Sequence, residues 1–180
     1  MKEIAVNVAV IQSNKILLTQ RDDFETWILP GGGVEDSESI AQAALQETKE
    51  ETGLDVELTR LVGIYSRLGN FLKGHVISFA GKPLGGKLKC QPGETIAVAW
   101  FPFDQIPGPL SLGHKRRIQD VIDGVGGVCV SQEFVLAAYP QIDRKELYDL
   151  RDKSEISPQK FYQKMIKQVA VTEKIEVENV

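Results

Sequence analysis

The chain has little sulfur and little histidine. Its 180 residues include two cysteines, Cys90 and Cys129, and two histidines. The cysteines lie far apart and form no CxxC pair, so the sequence supports neither a disulfide scaffold nor a Cys/His zinc site. Two reduced thiols are typical of a cytosolic protein, and we therefore expect a cytoplasmic location.

Long apolar runs are also missing. The first segment, MKEIAVNVAVIQSNK, places Asn7 and Gln12 inside its apolar stretch, which is not the pattern of a signal peptide. No run reaches the ~18 apolar residues that a membrane span requires. The sequence therefore predicts a protein that does not span a membrane.

A dominant charge of one sign is absent as well. The formal net charge is −4, from 21 Lys and Arg against 25 Asp and Glu. This balance argues against an extended nucleic-acid partner, which needs a basic surface. A small anionic substrate remains compatible with the composition where cations or metals offset the acid. The length and a hydrophobic share of 42% predict one domain with a small appendage.

The first two thirds of the chain alternate strand-like and helical segments. IAVNVAVIQ, ILLTQR, VELTRLVGIYS, HVISFAG and TIAVAWF predict strands, and KPLGGKLKCQPGE predicts a loop. A helix is predicted from about Ser37 to Thr52 with Gly53 as its C-cap, and HKRRIQDVIDG predicts another. The pattern indicates an α/β fold with helices packed on a mixed sheet.

The last third of the chain differs from the rest. We expect residues 129–180 to form a largely helical extension of a domain that spans residues 1–128. Asp143 with Glu146, and Ser157 with Pro158, predict two helix starts. An apolar stripe on the second helix is compatible with packing on the core, with a homodimer contact or with a lid over a site.

The helix sequence LQETKEETGL concentrates negative charge near its C-terminus. Glu47, Glu50 and Glu51 share one arc of the helix, and Lys49 lies on nearly the opposite side. Carboxylates at this end oppose the helix dipole by about 0.3–1 kcal/mol each when exposed. The arc is therefore either a solvated acidic face or a site for a divalent cation such as Mg²⁺ or Mn²⁺.

Three glycines stand just before this helix, in the segment LPGGG. Glycine permits close approach of the backbone to a ligand, and main-chain groups near a helix N-terminus can bind phosphate oxygens. The spacing along the chain between this glycine triplet and the acidic arc favours a ligand-binding site over a solvated acidic face.

From Gly32 to Leu54 the sequence resembles the Nudix box, GX5EX7REUXEEXGU, in which U is an aliphatic residue. The preceding WILPGG is similar to the usual lead-in of this family, and the resemblance extends over about residues 3 to 125. It implies a Nudix-type α/β/α sandwich with a mixed β-sheet. The positions in register are Gly32, Glu38, Glu47, Glu50, Glu51, Gly53 and Leu54.

Two positions depart from the box. Gln46 stands where the family has arginine, and Thr48 stands where it has an aliphatic residue. The Thr48 hydroxyl can bond back to a helical carbonyl, so this change is expected to be tolerated. Gln46 can donate a hydrogen bond to Glu50, four residues on, but it brings neither a charge nor a bidentate fork.

The resemblance implies a hydrolase that cleaves the pyrophosphate bond of a nucleoside diphosphate linked to X, with Mg²⁺ or Mn²⁺ as cofactor. By resemblance, Glu47, Glu50 and Glu51 are the expected metal ligands and catalytic carboxylates, with the Gly32 carbonyl as a further ligand. Glu94 matches a position that often adds a catalytic carboxylate. An ordinary acidic residue at a strand edge is the alternative for Glu94.

Candidate substrate contacts are less specific. We expect Arg21, Arg67 and His75 to contact phosphates and Trp27 to stack on a base, although packing or solvation is the alternative for each. The basic cluster from His114 to Arg117 is a further phosphate candidate. No marker of an NADH, ADP-ribose or dinucleoside-polyphosphate branch is visible, which leaves nucleoside triphosphates as one candidate group. A nucleotide-binding module without turnover is the alternative function, and Gln46 favours it.

Overall fold

The computed structural model describes residues 4–178. Its strands are β1 (Ile4–Gln12), β2 (Lys15–Arg21), β3 (Trp27–Ile28), β4 (Leu54–Leu68), β5 (Gly74–Gly86), β6 (Thr95–Pro102), β7 (Val128–Leu136) and β8 (Val169–Val177). Its helices are α1 (Ile40–Thr52), α2 (His114–Ile122), α3 (Arg144–Asp152) and α4 (Pro158–Ile166). The α/β architecture predicted from the sequence is confirmed.

The strands form one mixed sheet. Their order is β3-β2-β1-β5-β4-β7-β8, and β6 pairs with β2. The pairs β1–β5 and β4–β7 are parallel, whereas the other pairs are antiparallel. Parallel neighbours need long connections, and the connection between β1 and β5 contains α1, which bears the acidic arc.

Helices pack on both faces of this sheet. Val6 and Val8 of β1 share a buried cluster with Ala43 and Ala44 of α1. Ala9, which points to the other face because side chains alternate along a strand, shares a cluster with residues of α2. The two helices therefore lie on opposite faces, as in an α/β/α sandwich.

Helix α1 has well-formed ends. Ser39 is the N-cap and exchanges capping-box hydrogen bonds with Gln42, so the helix begins three residues later than predicted. Gly53 ends it in the left-handed conformation, with φ of 76°, which costs glycine little. Helical spacing predicts that one face of α1 is turned toward the core, comprising Ala41, Ala44, Leu45, Thr48 and Thr52. This prediction is wrong in part, because Leu45 is 38% exposed, whereas Glu51 is 4% exposed. The helix therefore turns one of its acidic residues toward the core.

The C-terminal extension is not largely helical, which corrects our expectation. β7 lengthens the sheet beside β4, β8 pairs with β7, and α3 and α4 lie between these two strands in sequence. In β7, alternate residues from Val128 to Leu136 are buried. This period of two is that of a strand and not of the helix that we expected. The predicted loop from residue 82 also begins as strand, because β5 continues to Gly86.

The extension is fastened to the rest of the domain through the β2–β3 loop. Tyr148 of α3 donates its hydroxyl to the Asp23 carboxylate, and Arg151 donates to the Asp23 carbonyl at 3.0 Å. Tyr162 of α4 accepts a hydrogen bond from the Leu112 N–H at 2.7 Å. These contacts join the two helices to the same end of the sheet as the glycine triplet. No helix in residues 4–178 is long and apolar enough to span a membrane.

Candidate active site

Glu51 links α1 to the glycine triplet. Its carboxylate accepts the Gly31 N–H at 3.0 Å and the Thr19 hydroxyl at 3.4 Å, both through Oε2. The pKa of Glu51 is raised to about 7. Burial is the main cause and Glu47 adds to it, while the Gly31 hydrogen bond and Arg21 oppose the shift. The fold therefore holds a carboxylate in a buried position where its charge is only partly compensated.

Glu47 packs directly against Gly32. A Cβ atom built on Gly32 would lie 2.5 Å from the Glu47 carboxylate carbon, so only glycine leaves room for this side chain. The pKa of Glu47 is raised to about 7. Partial burial is the largest cause, and repulsion from Glu50 and Glu94 adds to it. These shifts show that Glu94, which precedes β6 in sequence, lies close enough to act on the acidic arc.

Gln46 and Glu50 behave as the sequence spacing indicated. Gln46 Nε2 donates to Glu50 Oε1 at 2.9 Å, and the Thr48 hydroxyl donates to the Ala44 carbonyl at 2.8 Å. Glu38 accepts the Glu35 N–H at 3.0 Å and therefore organises the loop before α1. Gln46 orients Glu50 without neutralising it.

The carboxylates suit a divalent cation in chemistry, although they are not gathered around one point. Within residues 4–178, no group of three or more His, Cys, Asp or Glu side chains is arranged to hold a metal. The raised pKa values of Glu47 and Glu51 and the space that Gly32 leaves fit a hard cation with oxygen ligands. The Gly32 carbonyl already accepts the Val6 N–H at 2.9 Å, which leaves it one lone pair.

A cavity of about 780 Å³ begins at the same glycine triplet. Gly31, Gly32 and Gly33 line one part of it, and residues of α2, α3 and α4 line the rest. Its size falls in the range of small-molecule sites. The cavity and the carboxylates of α1 thus meet at the glycine loop, which both share.

The structure brings two of the four predicted substrate contacts to this cavity. Arg21 and Arg67 line it. Arg21 pairs with Asp23 at 2.6 Å, and Arg67 donates to the Lys73 carbonyl at 3.1 Å. Both guanidinium groups are therefore oriented by local contacts.

The other two predicted contacts lie elsewhere. Trp27 packs edge-on against Phe101 with ring centroids 4.8 Å apart, within the apolar cluster beneath α2. His75 shares a hydrogen bond of 3.0 Å with Ser66, and neither Trp27 nor His75 lines the cavity. Apolar packing occupies the Trp27 side chain, and a hydrogen bond to Ser66 occupies that of His75. We therefore do not retain either residue as a substrate contact.

Cavity residues from the extension were missed at the sequence level. Arg144 and Tyr148 of α3, and Tyr162 and Met165 of α4, face the cavity beside Phe24. The apolar stripe on α4 indicated a buried face. The spacing of its residues did not indicate which part of the chain this face packs against. Contacts between residues more than a hundred positions apart placed these side chains.

His114 lies at the cavity wall with its imidazole neutral. Its Nδ1 accepts the Leu29 N–H at 3.1 Å, which requires an unprotonated nitrogen. Removal of the imidazole from water lowers the pKa of His114 well below 6.5, and Arg117, Arg67 and Arg21 lower it further. His114 therefore fixes the backbone beside the glycine loop and carries no charge at neutral pH.

We expect His114 to make the fold acid-sensitive. Because the pKa of His114 is depressed in the folded protein, the unfolded chain binds the proton first, and stability falls as the pH drops below about 6.5. The slope for this one group reaches up to about 1.4 kcal/mol per pH unit. Urea unfolding at pH 7.5 and 5.5 should show a larger loss for the parent than for His114→Asn. His75→Asn is the control, and an equal loss in the parent and His114→Asn would refute this assignment.

Known proteins resemble this chain in sequence and in fold. The family model described as NUDIX domain matches residues 1–121. The chain is 32% identical over 140 residues to a putative 8-oxo-dGTP diphosphatase of Bacillus subtilis, covering 77% of this chain and 93% of that protein. It is 37% identical over 122 residues to an ADP-ribose pyrophosphatase of Methanocaldococcus jannaschii, covering 65% and 71%.

Solved structures show the same fold. The crystal structure of an ADP-ribose pyrophosphatase from Streptococcus suis superposes with a TM-score of 0.61 at 32% identity, covering 68% of this chain and 90% of that one. The chain belongs to the Nudix family and is a Nudix hydrolase. The family match ends within α2, so β7, α3, α4 and β8 lie beyond it.

Proposed function

We propose that this chain hydrolyses the pyrophosphate bond of a nucleoside diphosphate linked to X, with Mg²⁺ or Mn²⁺ as its cofactor. The observation that carries the proposal is the packing of the glycine triplet on α1: Gly31 holds Glu51 by a hydrogen bond, and Gly32 leaves space for the Glu47 carboxylate. Two carboxylates of the acidic arc thus contact the glycine triplet, which also lines a cavity of small-molecule size.

The roles proposed for the carboxylates are those that the family resemblance implies. Glu47, Glu50 and Glu51 would hold the cation, with the free lone pair of the Gly32 carbonyl as a further ligand. A bound cation supplies positive charge that offsets the charge developing on phosphate oxygens. Glu94 lies close enough to raise the pKa of Glu47, and one of these carboxylates accepts the proton of the attacking water.

The cavity would receive the rest of the substrate. Arg21 and Arg67 line it and present guanidinium groups suited to phosphate oxygens. Relatives named as an 8-oxo-dGTP diphosphatase and as an ADP-ribose pyrophosphatase favour nucleoside triphosphates and ADP-sugars as the first substrates to test. A cytoplasmic location and a homodimer stay predictions alongside this activity.

A phosphate-release screen tests the function. Nucleoside triphosphates, nucleotide sugars, ADP-ribose and dinucleotides are incubated with Mg²⁺, with Mn²⁺ or with EDTA, and coupling phosphatases reveal the products. We expect metal-dependent turnover on one class. Silence across the panel with retained nucleotide binding in a thermal-shift assay would favour a binding module instead.

Replacing Gln46 with arginine tests the departure from the box. Gln46 already donates to Glu50 at 2.9 Å, so an arginine in its place should keep this contact and add a positive charge beside the acidic arc. We expect kcat to rise or to stay unchanged, and Gln46→Ala to lower it. A large loss of kcat in Gln46→Arg would show that the glutamine has a role that arginine cannot perform.

A further inference from the structure

Arg117 of α2 is a buried cation to which no carboxylate within residues 4–178 is hydrogen-bonded. It is 1% exposed, and neither Nε nor Nη1 has a hydrogen-bond partner in the described structure. Its guanidinium carbon lies 5.7 Å from the centre of the Tyr65 ring, which offers a cation–π contact but no hydrogen-bond acceptor for the two nitrogens. The Tyr65 hydroxyl itself donates to Asp120.

This arrangement is costly for the free protein. Burying a charge without a hydrogen-bonded partner opposes folding, and buried polar groups in proteins are normally satisfied. The pKa of Arg117 is lowered to about 9, chiefly by burial and also by the neighbouring Arg67, while Tyr65 and Glu173 oppose the shift. A bound anion would remove both penalties.

The nearby Glu173 carboxylate accepts a hydrogen bond from Gln132 and pairs with Arg116 at 3.6 Å. Arg117 lines the cavity, together with Arg67 and Arg21. Asp23 also lines it, but its carboxylate is bound by Arg21 and by the Tyr148 hydroxyl. By contrast, the adjacent Arg116 is paired with Asp120 at 2.9 Å. Of these two neighbouring arginines, Arg116 is paired with a carboxylate, whereas two nitrogens of Arg117 have no hydrogen-bond partner in the described structure.

The extension encloses this part of the cavity. Tyr148 and Tyr162 face it beside Phe24, with ring centroids 5.1 and 5.6 Å from that of Phe24. Aromatic walls exclude water, and exclusion of water strengthens the attraction between a guanidinium and an anion. The extension thereby makes the cavity a deeper and drier site than the family domain would have without it.

We propose that the cavity beneath the C-terminal extension is a second anion site, in which Arg117 binds a phosphate or carboxylate of the substrate other than the scissile pyrophosphate. The proposal rests on the proposed function for its choice of ligand. Arg117 packs against Tyr65 and close to Gly113, whereas Glu51 and Glu47 contact Gly31 and Gly32. We therefore assign the anion at Arg117 to a different group of the substrate from the scissile pyrophosphate. The preferred substrate class is a nucleotide that carries one additional anionic group.

The first test measures binding of inorganic phosphate by calorimetry in EDTA, where neither metal nor hydrolysis contributes. We expect Arg117→Met to weaken phosphate binding at least tenfold and Arg117→Lys to restore part of it. Arg116→Met is the matched control and should bind phosphate as the parent does. Circular dichroism and thermal unfolding verify that each variant is folded.

The second test compares substrates that differ by one anionic group. UDP-glucuronate and UDP-glucose differ by a carboxylate, and NADPH and NADH differ by a phosphate. We expect the parent to prefer the more anionic member of one pair at least tenfold in kcat/KM, and the pair that shows the preference identifies the group. Arg117→Met should abolish the preference, whereas Arg116→Met should keep it.

The outcomes separate the two proposals. Phosphate binding that depends on Arg117, without hydrolysis of any nucleotide, would support the anion site and overturn the proposed function. Robust hydrolysis with equal phosphate affinity in the parent and Arg117→Met would overturn the anion site and leave the proposed function standing. An absence of phosphate binding by the parent, or binding as an adventitious ion only, would also overturn the anion site.

Discussion

Replacing Glu51 with glutamine is expected to lower kcat/KM by about 100-fold or more while the fold is retained. Glu51 is the most buried carboxylate of the acidic arc and accepts the Gly31 N–H. Glutamine keeps the size and one acceptor oxygen of this side chain but removes its charge. The variant therefore loses a cation ligand or proton acceptor without losing the contact that positions the glycine triplet.

The same substitution should stabilise the metal-free protein. Because burial disfavours the charged form and raises the pKa of Glu51 to about 7, ionisation at pH 8 opposes folding. A neutral amide avoids this cost, so Glu51→Gln should melt at a higher temperature than the parent in EDTA at pH 8. A functional carboxylate is expected to show this opposition between activity and stability.

Glu38→Gln is the control for Glu51→Gln. Glu38 belongs to the same motif, but its carboxylate accepts the Glu35 N–H, and glutamine can do the same. Most of the activity should therefore remain in Glu38→Gln. Equal hydrolysis by Glu51→Gln and the parent would show that Glu51 lies outside the catalytic centre.

The three consecutive glycines are expected to respond to alanine in three different ways. At Gly31, a Cβ atom would lie 2.1 Å from the Val6 carbonyl oxygen, and φ is +148°. Because a backbone atom cannot move aside cheaply, Gly31→Ala should destabilise the fold by at least about 2 kcal/mol. At Gly33, nothing lies within 4 Å of the Cβ position, so alanine should be tolerated.

Gly32→Ala is the informative member of this series. The added methyl group meets the Glu47 carboxylate at 2.5–2.6 Å, and this flexible side chain can rotate away. We therefore expect Gly32→Ala to fold but to lose at least about tenfold in kcat/KM, because a ligand that is displaced by about 1 Å is poorly placed for catalysis.

Urea unfolding and metal-dependent hydrolysis, measured on all three glycine variants, check this order. Stability should fall most in Gly31→Ala, and activity per folded molecule should fall most in Gly32→Ala. If Gly32→Ala and Gly33→Ala hydrolysed equally well, the contact between Gly32 and Glu47 would have no catalytic meaning.

Local spacing accounts for much of what the sequence predicted. Glu47, Glu50 and Glu51 share a helix arc because the helical period relates residues within two turns. The pairs Gln46 with Glu50 and Asp143 with Glu146 formed as expected, since both lie within one helical turn. The family match confirms the class of enzyme that the resemblance implied.

Distance along the chain limited the rest. Trp27 was expected to meet substrate, but it packs against Phe101, and apolar burial of an aromatic residue is indistinguishable from stacking at the sequence level. β7 was not predicted from the sequence, and its pairing with β4 depends on the whole sheet. Arg116 and Arg117 are adjacent and identical in type, and only the surrounding elements distinguish the paired cation from the buried one.

The sequence by itself determined the family, helix α1 with its C-cap, and the acidic arc, because these depend on residue type and on spacing within a few helical turns. Only the tertiary structure decided which side chains surround the cavity. α3 and α4 reach Phe24 and the β2–β3 loop across more than 120 residues of chain. Contacts of that separation arise when strands pair and apolar faces close, and this closure leaves Arg117 buried beside a space for an anion.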